Sequence, residues 1–278
     1  MSTSLKIGIL NLVIPPHELL EAAPLAESLG FESIWIGEHF IVPLEMKSPY
    51  PYGDVAPFPP DAPFLEPLAA LSALGAVTKT MRFGTCVMVL PMRDVYLTAR
   101  AIVTADIMTR GRLELGFGAG WLKDEFDFIG QDFATRGRRL EEGLALMDTL
   151  FSAERPEFHG EFWQLPPSAF EPKPVQRPRP PVILGGHSPA ALRRAARLAD
   201  GWMSTMTSPE AVARDVETLK RLRGDRPPLT VTVLEGPDAD LEAYVRAGAD
   251  RLIMAPWRPD RPWREGMADF ARRHRLGG

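Results

Sequence analysis

Residues 111–125 read GRLELGFGAGWLKDE, and the passage from apolar alternation into spaced glycines decides how the chain is divided. Arg112 to Leu115 alternates as a strand does. Gly116, Gly118 and Gly120 then let the backbone turn sharply and approach a ligand, and an acidic, helix-like segment follows Trp121. GxGxG lacks the third-glycine spacing of the dinucleotide fingerprint, and no acidic residue follows a second strand at the distance that fingerprint requires. The stretch reads as a strand ending in an active-site turn, and its meaning depends on its neighbours.

Upstream, residues 6–12 (KIGILNL) form an apolar strand, and Leu19, Ala22, Ala23, Ala26 and Leu29 fall at helical spacing before Gly30. Residues 31–37 (FESIWIG) repeat the strand signal and end at Glu38-His39. From Pro43 to Phe64 the chain carries seven prolines, a loop length usually functional or disordered. Helices are predicted over 65–78 and 95–109, with a buried strand, MRFGTCVMVL, over 81–90.

Downstream, 136–151 places Leu140, Leu144, Met147 and Phe151 on one helix face, and 152–181 is a Pro- and aromatic-rich hairpin or irregular insertion. Strands at 181–186 and 201–204 are each followed by Ser-Pro, at Ser188-Pro189 and Ser208-Pro209, which suits an N-cap and first helical residue. Residues 229–234, 241–247, 251–254 and 263–275 add two strand–helix pairs. Eight alternating pairs predict a single α/β domain over 1–278, a (β/α)8 TIM barrel with inserted loops after strands 2 and 4. Its active site is expected at the strands' C-terminal ends, and a doubly wound open sheet is the alternative.

The 278 residues suffice for one such barrel. A net charge of −4, a pI near 5.8 and the absence of a basic stripe argue against nucleic acid and for a small-molecule partner. One cysteine, Cys86, cannot form an internal disulfide, and no secretory h-region opens the chain, so a cytoplasmic location is expected. No apolar run approaches the ~20 residues that cross a bilayer, so no membrane partner is expected.

His39, at the end of the second strand, would stand on the barrel's catalytic rim, where a histidine can exchange a proton near neutral pH. A hydrogen-bonded histidine beneath the long loop is the plainer reading. Glu38 reads equally as a solvated rim carboxylate or a ligand contact. Gly185-Gly186-His187-Ser188, between strand and helix, offers backbone N–H groups at a helix's positive end, a setting for phosphate that an ordinary tight turn also satisfies. Arg193, Arg194 and Arg197 are expected on a solvated face. Cys86 reads as a small core hydrophobe. His17, His159 and His274 show no ligand spacing, and no metal is expected.

Taken together, GEHF (37–40), LEPLAALSALGAVT (65–78), RFGTCVMVLPMR (82–93), GRLELGFGAGWLKDEF (111–126), FEPKPVQ (170–176) and LGGHSPAALRRAARLADGW (184–202) resemble the bacterial luciferase-like superfamily. The resemblance is nearest to its deazaflavin-dependent oxidoreductases and is strong from Ile7 to Trp202. It implies a coenzyme F-420 (deazaflavin) cofactor, with FMN, a separate flavin reductase and oxygen activation as the alternative, and a non-catalytic coenzyme-binding protein as a third reading. By the same resemblance, Glu38 and His39 lie at the ring, with His39 an acid or base. A bulge with a non-proline cis peptide falls between Cys86 and Val87, and Cys86, Val87 and Val89 back the ring. Gly185, Gly186, Ser188 and Pro189 match phosphate-binding positions, and Asp124 matches a polar residue near the coenzyme. Trp121 replaces the catalytic glutamate of the family's sugar-phosphate dehydrogenases, whose substrate-phosphate ligands have no match, so the expected substrate is small, organic and uncharged or weakly polar. Trp121, Tyr50 and Phe58 are its expected pocket, under a lid carrying Tyr50, Tyr52, Phe58 and Phe64. A homodimer is the expected assembly.

Overall fold

The computed structural model describes residues 5–277 except 52, 55, 57, 259 and 260; Tyr52, expected in the lid, is therefore outside the described residues. In chain order the strands are β1 (Lys6–Leu10), β2 (Ser33–Ile36), β3 (Arg82–Thr85), β4 (Met88–Val89), β5 (Leu113–Gly118), the pair β6 (Phe158–His159) and β7 (Gln164–Leu165), then β8 (Val182–Gly185), β9 (Gly201–Thr205), β10 (Thr230–Glu235) and β11 (Arg251–Met254). Parallel pairing runs β1-β2-β3-β5-β8-β9-β10-β11, and β11 returns to β1, with Lys6 opposite Arg251. The sheet is thus an eight-stranded closed barrel. Strands such as SIWI and RLIM are buried throughout, as parallel strands covered on both faces must be.

The surrounding helices are α1 (Leu19–Ser28), α2 (Pro67–Val77), α3 (Val95–Met108), α4 (Lys123–Phe128), α5 (Arg136–Ser152), α6 (Pro189–Leu198), α7 (Pro209–Arg223), α8 (Leu241–Arg246) and α9 (Trp263–His274). Short polar side chains start several of them: Asp94 accepts from the Leu97 amide, Ser188 from Ala191, Ser208 from Ala211 and Asp240 from Ala243. Both Ser-Pro starts therefore begin helices.

Trp35 fills the barrel's interior among Ile183, Met203 and Ile253. Its indole donates to Ser33 Oγ at 2.8 Å, and Gly84 is small because a Cβ there would lie 2.2 Å from the Trp35 ring. Below it, toward the strands' N-terminal ends, Arg251 binds Glu32 and Glu114, and Glu114 also accepts from Arg82. Burial pushes the Glu32 carboxyl up, but the Arg251 guanidinium outweighs it and holds the group below its ordinary value. This charged plug and Trp35 close the barrel from below, leaving the opposite end open.

Two expectations need correction. Gly116 and Gly118 do not form the turn; both remain inside β5. A Cβ on Gly116 would stand 1.9 Å from the Thr85 carbonyl oxygen, and one on Gly118 would meet the Val87 side chain at 2.7 Å. These glycines make room for the neighbouring strand, and the turn falls at Gly120, where φ is +88°. That neighbour is also not one strand over 81–90: it breaks at a cis Cys86-Val87 peptide and resumes as β4. Residues 37–66, after β2, contain no helix or strand among the described residues. After β5 come α4 and α5; the β6–β7 hairpin follows α5, fastened by Glu142, which accepts the amides of Glu161, Phe162 and Trp163.

Candidate active site

A cleft of about 1210 Å³ lies at the barrel's open end, lined by residues at or just beyond the C-terminal ends of all eight barrel strands. Leu10, His39, Val87, Gly118, Gly185, Thr205, Leu234 and Ala255 each mark one strand's contribution. This is where a (β/α)8 barrel gathers side chains from elements distant in sequence.

His39 Nδ1 lies 2.8 Å from Glu125 Oε2, and the other Glu125 oxygen accepts the Phe40 amide at 2.7 Å. Glu125 is 2% exposed and sits on α4, directly after the Gly120 turn. The His39 ring is boxed by Phe58, Phe64 and Trp121, with centroids at 4.6, 4.9 and 6.0 Å, and Tyr50 packs edge-on against Trp121 at 5.1 Å. The long loop and the turn after β5 therefore meet around one imidazole. His39 Nε2 has no hydrogen-bond partner among the described residues, while Nδ1 is committed to Glu125. An imidazole held by one nitrogen can exchange a proton through the other.

Glu38, adjacent in sequence, is differently employed. One carboxylate oxygen accepts the Val89 amide at 2.8 Å, and the other accepts from Arg93 Nε at 2.8 Å and from its Nη2. Glu38 thus fastens the bulged third strand to the start of α3. Between its segments, Val87 faces the cleft, with Gly118 on one side and Gly185 on the other; a Cβ at Gly185 would lie 3.7 Å from Val87 Cγ1. The result is an apolar floor. Cys86 contacts Met203 Sδ at 3.4 Å, and burial pushes its thiol up to about 12, so it remains a neutral thiol near pH 7.

Across the cleft, Gly186 adopts φ +112°, and its carbonyl accepts the Trp202 indole N–H at 3.0 Å. His187 bonds Asp215 through Nδ1 at 2.7 Å and accepts the Thr205 amide through Nε2, which ties the glycine turn to α7 and β9. Ser188 and Ala190 line the cleft; Pro189 occupies the first helical position behind them and does not. The Ser188 side chain takes the Ala191 amide, and the Ala190 amide has no acceptor among the described residues.

Beside this helix start stand Arg136 and Arg194, both lining the cleft. Burial holds the Arg136 guanidinium below its ordinary value, and Arg194 lowers it further. Arg194 also donates to Glu141 on α5, so it faces the cleft and α5 rather than open solvent as expected. Arg136 also donates to the Gly120 and Phe133 carbonyls, and the two guanidiniums beside an open helix N-terminus form a setting that favours an anion. Sequence reading missed Arg136, Arg194 and Glu125, although the KDEF start of α4 and the Arg that opens α5 were visible signals.

Asp124, in contrast, does not line the cleft. Its carboxylate accepts the Lys47 amide at 3.3 Å, the Ser48 amide at 3.1 Å and the Ser48 hydroxyl at 2.6 Å. Among the described residues no three His, Cys, Asp or Glu side chains gather to hold a metal ion, and no helix is long and apolar enough to cross a membrane.

The closed parallel barrel, with its cleft at the strands' C-terminal ends, defines a (β/α)8 barrel of the kind that hosts enzymes. Residues 3–256 match the model of the luciferase-like monooxygenase family, and the chain belongs to that family. It is 35% identical over 235 residues to an uncharacterized protein of Mycobacterium tuberculosis, covering 83% of this chain and 79% of that one. It is 30% identical over 175 residues to the oxygenase component of the flavin-dependent trigonelline monooxygenase of Acinetobacter baylyi, covering 62% and 43%. An F-420-dependent secondary alcohol dehydrogenase shares the fold with a TM-score of 0.78 at 19% identity, over 96% of this chain and 97% of that one. The F-420-dependent tetrahydromethanopterin reductase of Methanopyrus kandleri does so with a TM-score of 0.76 at 14% identity, over 98% of both. A sequence relative is thus named for flavin, and two proteins that share the fold are named for F-420.

Proposed function

We propose that this protein is a deazaflavin-dependent oxidoreductase that passes a hydride between coenzyme F-420 and a small, uncharged organic substrate. The observation that carries the reading is the His39–Glu125 pair, placed by the loop after β2 and the turn after β5 at the same point of the cleft. A hydride added to or taken from a carbon–oxygen bond must be matched by a proton on the oxygen, and His39 Nε2 is positioned to handle it.

The residues present fit the coenzyme. Val87, between Gly118 and Gly185, offers a flat apolar floor for a ring; Ala190, Arg136 and Arg194 offer donors for an anionic tail. A cleft near 1210 Å³ exceeds the usual range for a small ligand alone, which suits coenzyme and substrate together. When bound, F-420 supplies or accepts the hydride at C5 of its ring. His39 gives a proton to the substrate oxygen, or takes one from it, through Nε2. Glu125 keeps Nδ1 occupied, so the exchange is confined to the nitrogen facing the cleft. Phe58, Phe64, Trp121 and Tyr50 exclude water and offer the substrate apolar walls, while Glu38 and Arg93 hold the floor in place without touching the reacting atoms.

Fluorescence titration of the apo-protein with F-420 and with FMN tests the reading. F-420 is expected to bind at least about tenfold more tightly, a difference of ~1.4 kcal/mol. Micromolar FMN affinity without F-420 binding would overturn it in favour of an FMN-dependent monooxygenase served by a separate flavin reductase, the reading that the flavin-dependent relatives favour.

A further inference from the structure

The long loop after β2 is fastened to α4 at two places by consecutive acidic residues. Glu125 holds the loop's beginning, at His39 and Phe40. Asp124 holds its middle, through the Lys47 and Ser48 amides and the Ser48 hydroxyl. The same hydroxyl accepts the Lys123 amide at 2.9 Å, so Ser48, 75 residues away in sequence, caps a helix whose own preceding residue, Leu122, offers no side-chain cap. Directly after Ser48 the chain enters the cleft wall: Tyr50 meets Trp121, and Phe58 and Phe64 meet each other and His39. We infer that Asp124 is a positioning residue: by pinning Lys47-Ser48 to the start of α4, it sets where the aromatic wall stands relative to His39 and Trp121.

The inference rests on the proposed catalytic reading only for its consequence in turnover; the anchoring is measurable in the free protein. Residues 37–66 contain a single Lys or Arg, Lys47, so trypsin can cut this loop only at the bond Asp124 covers. Asp124→Ala is expected to speed cleavage after Lys47, mapped by mass spectrometry, at least about tenfold, as a local opening would. Asp124→Asn, which retains one acceptor oxygen, is expected to fall between Asp124→Ala and the native protein. Ser48→Ala repeats the test from the loop side, removing the hydroxyl that meets Asp124 and Lys123 while leaving every α4 side chain in place, should Asp124→Ala fail to fold. Acrylamide quenching of Trp121, taken as the difference between each variant with and without Trp121→Phe, is expected to rise with cleavage. Native cleavage rates and native Trp121 quenching in folded Asp124→Ala or Ser48→Ala would overturn the inference. Neither measurement uses a coenzyme, so failure of F-420 to bind would leave this result standing.

Discussion

Glu125 binds the imidazole of His39 with one carboxylate oxygen and the amide of the next residue, Phe40, with the other, at 2.8 and 2.7 Å. A single buried carboxylate therefore fixes both the ring and the backbone that carries it. The tautomer with hydrogen on Nδ1 is the one this contact selects in the neutral ring, leaving the lone pair on Nε2, which has no hydrogen-bond partner among the described residues.

Removing the imidazole should separate chemistry from binding. His39→Ala is expected to lower turnover ~10²–10⁴-fold while leaving F-420 affinity near the native value. Glu125→Gln should give a smaller loss, because the ring remains but its orientation is no longer enforced. Turnover with small ketones as trial acceptors, followed at the coenzyme's absorbance, compares the variants; native turnover in His39→Ala would return His39 to a structural role.

The anion site is better tested at Arg136 than at the glycine turn. Gly186 has φ +112°, which side chains rarely adopt, so Gly186→Glu strains the backbone whether or not a phosphate binds there. Arg136→Ala should weaken F-420 and FMN alike by about tenfold or more, the usual worth of a charge-assisted hydrogen bond. It should also flatten the dependence of affinity on salt, measured by titration between low and physiological ionic strength.

Overpacking beneath the cleft should be felt as stability. In Gly84→Ala the new Cβ would stand 2.2 Å from the Trp35 ring inside a closed barrel that cannot spread. A loss of about 3 kcal/mol in urea unfolding is expected. Adding Trp35→Phe should recover part of it, and a strictly additive double mutant would show that the two residues do not meet.

Acid should act through Glu27. Burial pushes its carboxyl up, but the amides of Thr80, Met81 and Lys79 and the Thr80 hydroxyl outweigh this and hold it at about 2, against 4.5 for the ordinary group. A carboxyl depressed in the folded state stabilises fully above the unfolded value and loses that contribution as pH falls through the folded one. Glu27→Gln should therefore lower Tm at pH 7, and the gap from the native protein should close between about pH 4.5 and 2.

The periodic elements were readable because local chemistry sets them. Leu19, Ala22, Ala23 and Ala26 are buried on α1, and both Ser-Pro pairs cap helices. The motif resemblance further located the cis peptide at Cys86-Val87, which the structure contains. Reading the glycines of residues 111–125 as one turn failed at Gly116 and Gly118. Whether a glycine answers a turn or a crowding neighbour depends on Thr85 and Val87, in a strand some thirty residues earlier.

By itself, then, the sequence determined the alternation of strands and helices, the helix starts and the family, since these rest on periodicity, capping and motifs that adjacent residues carry. Only the tertiary structure decided which carboxylate does what. Glu38, Asp124 and Glu125 are all acidic residues near the same turn, yet one holds a strand, one a loop and one a histidine. A carboxylate's role is set by the donor that reaches it, and barrel closure brings those donors together from segments far apart in the chain.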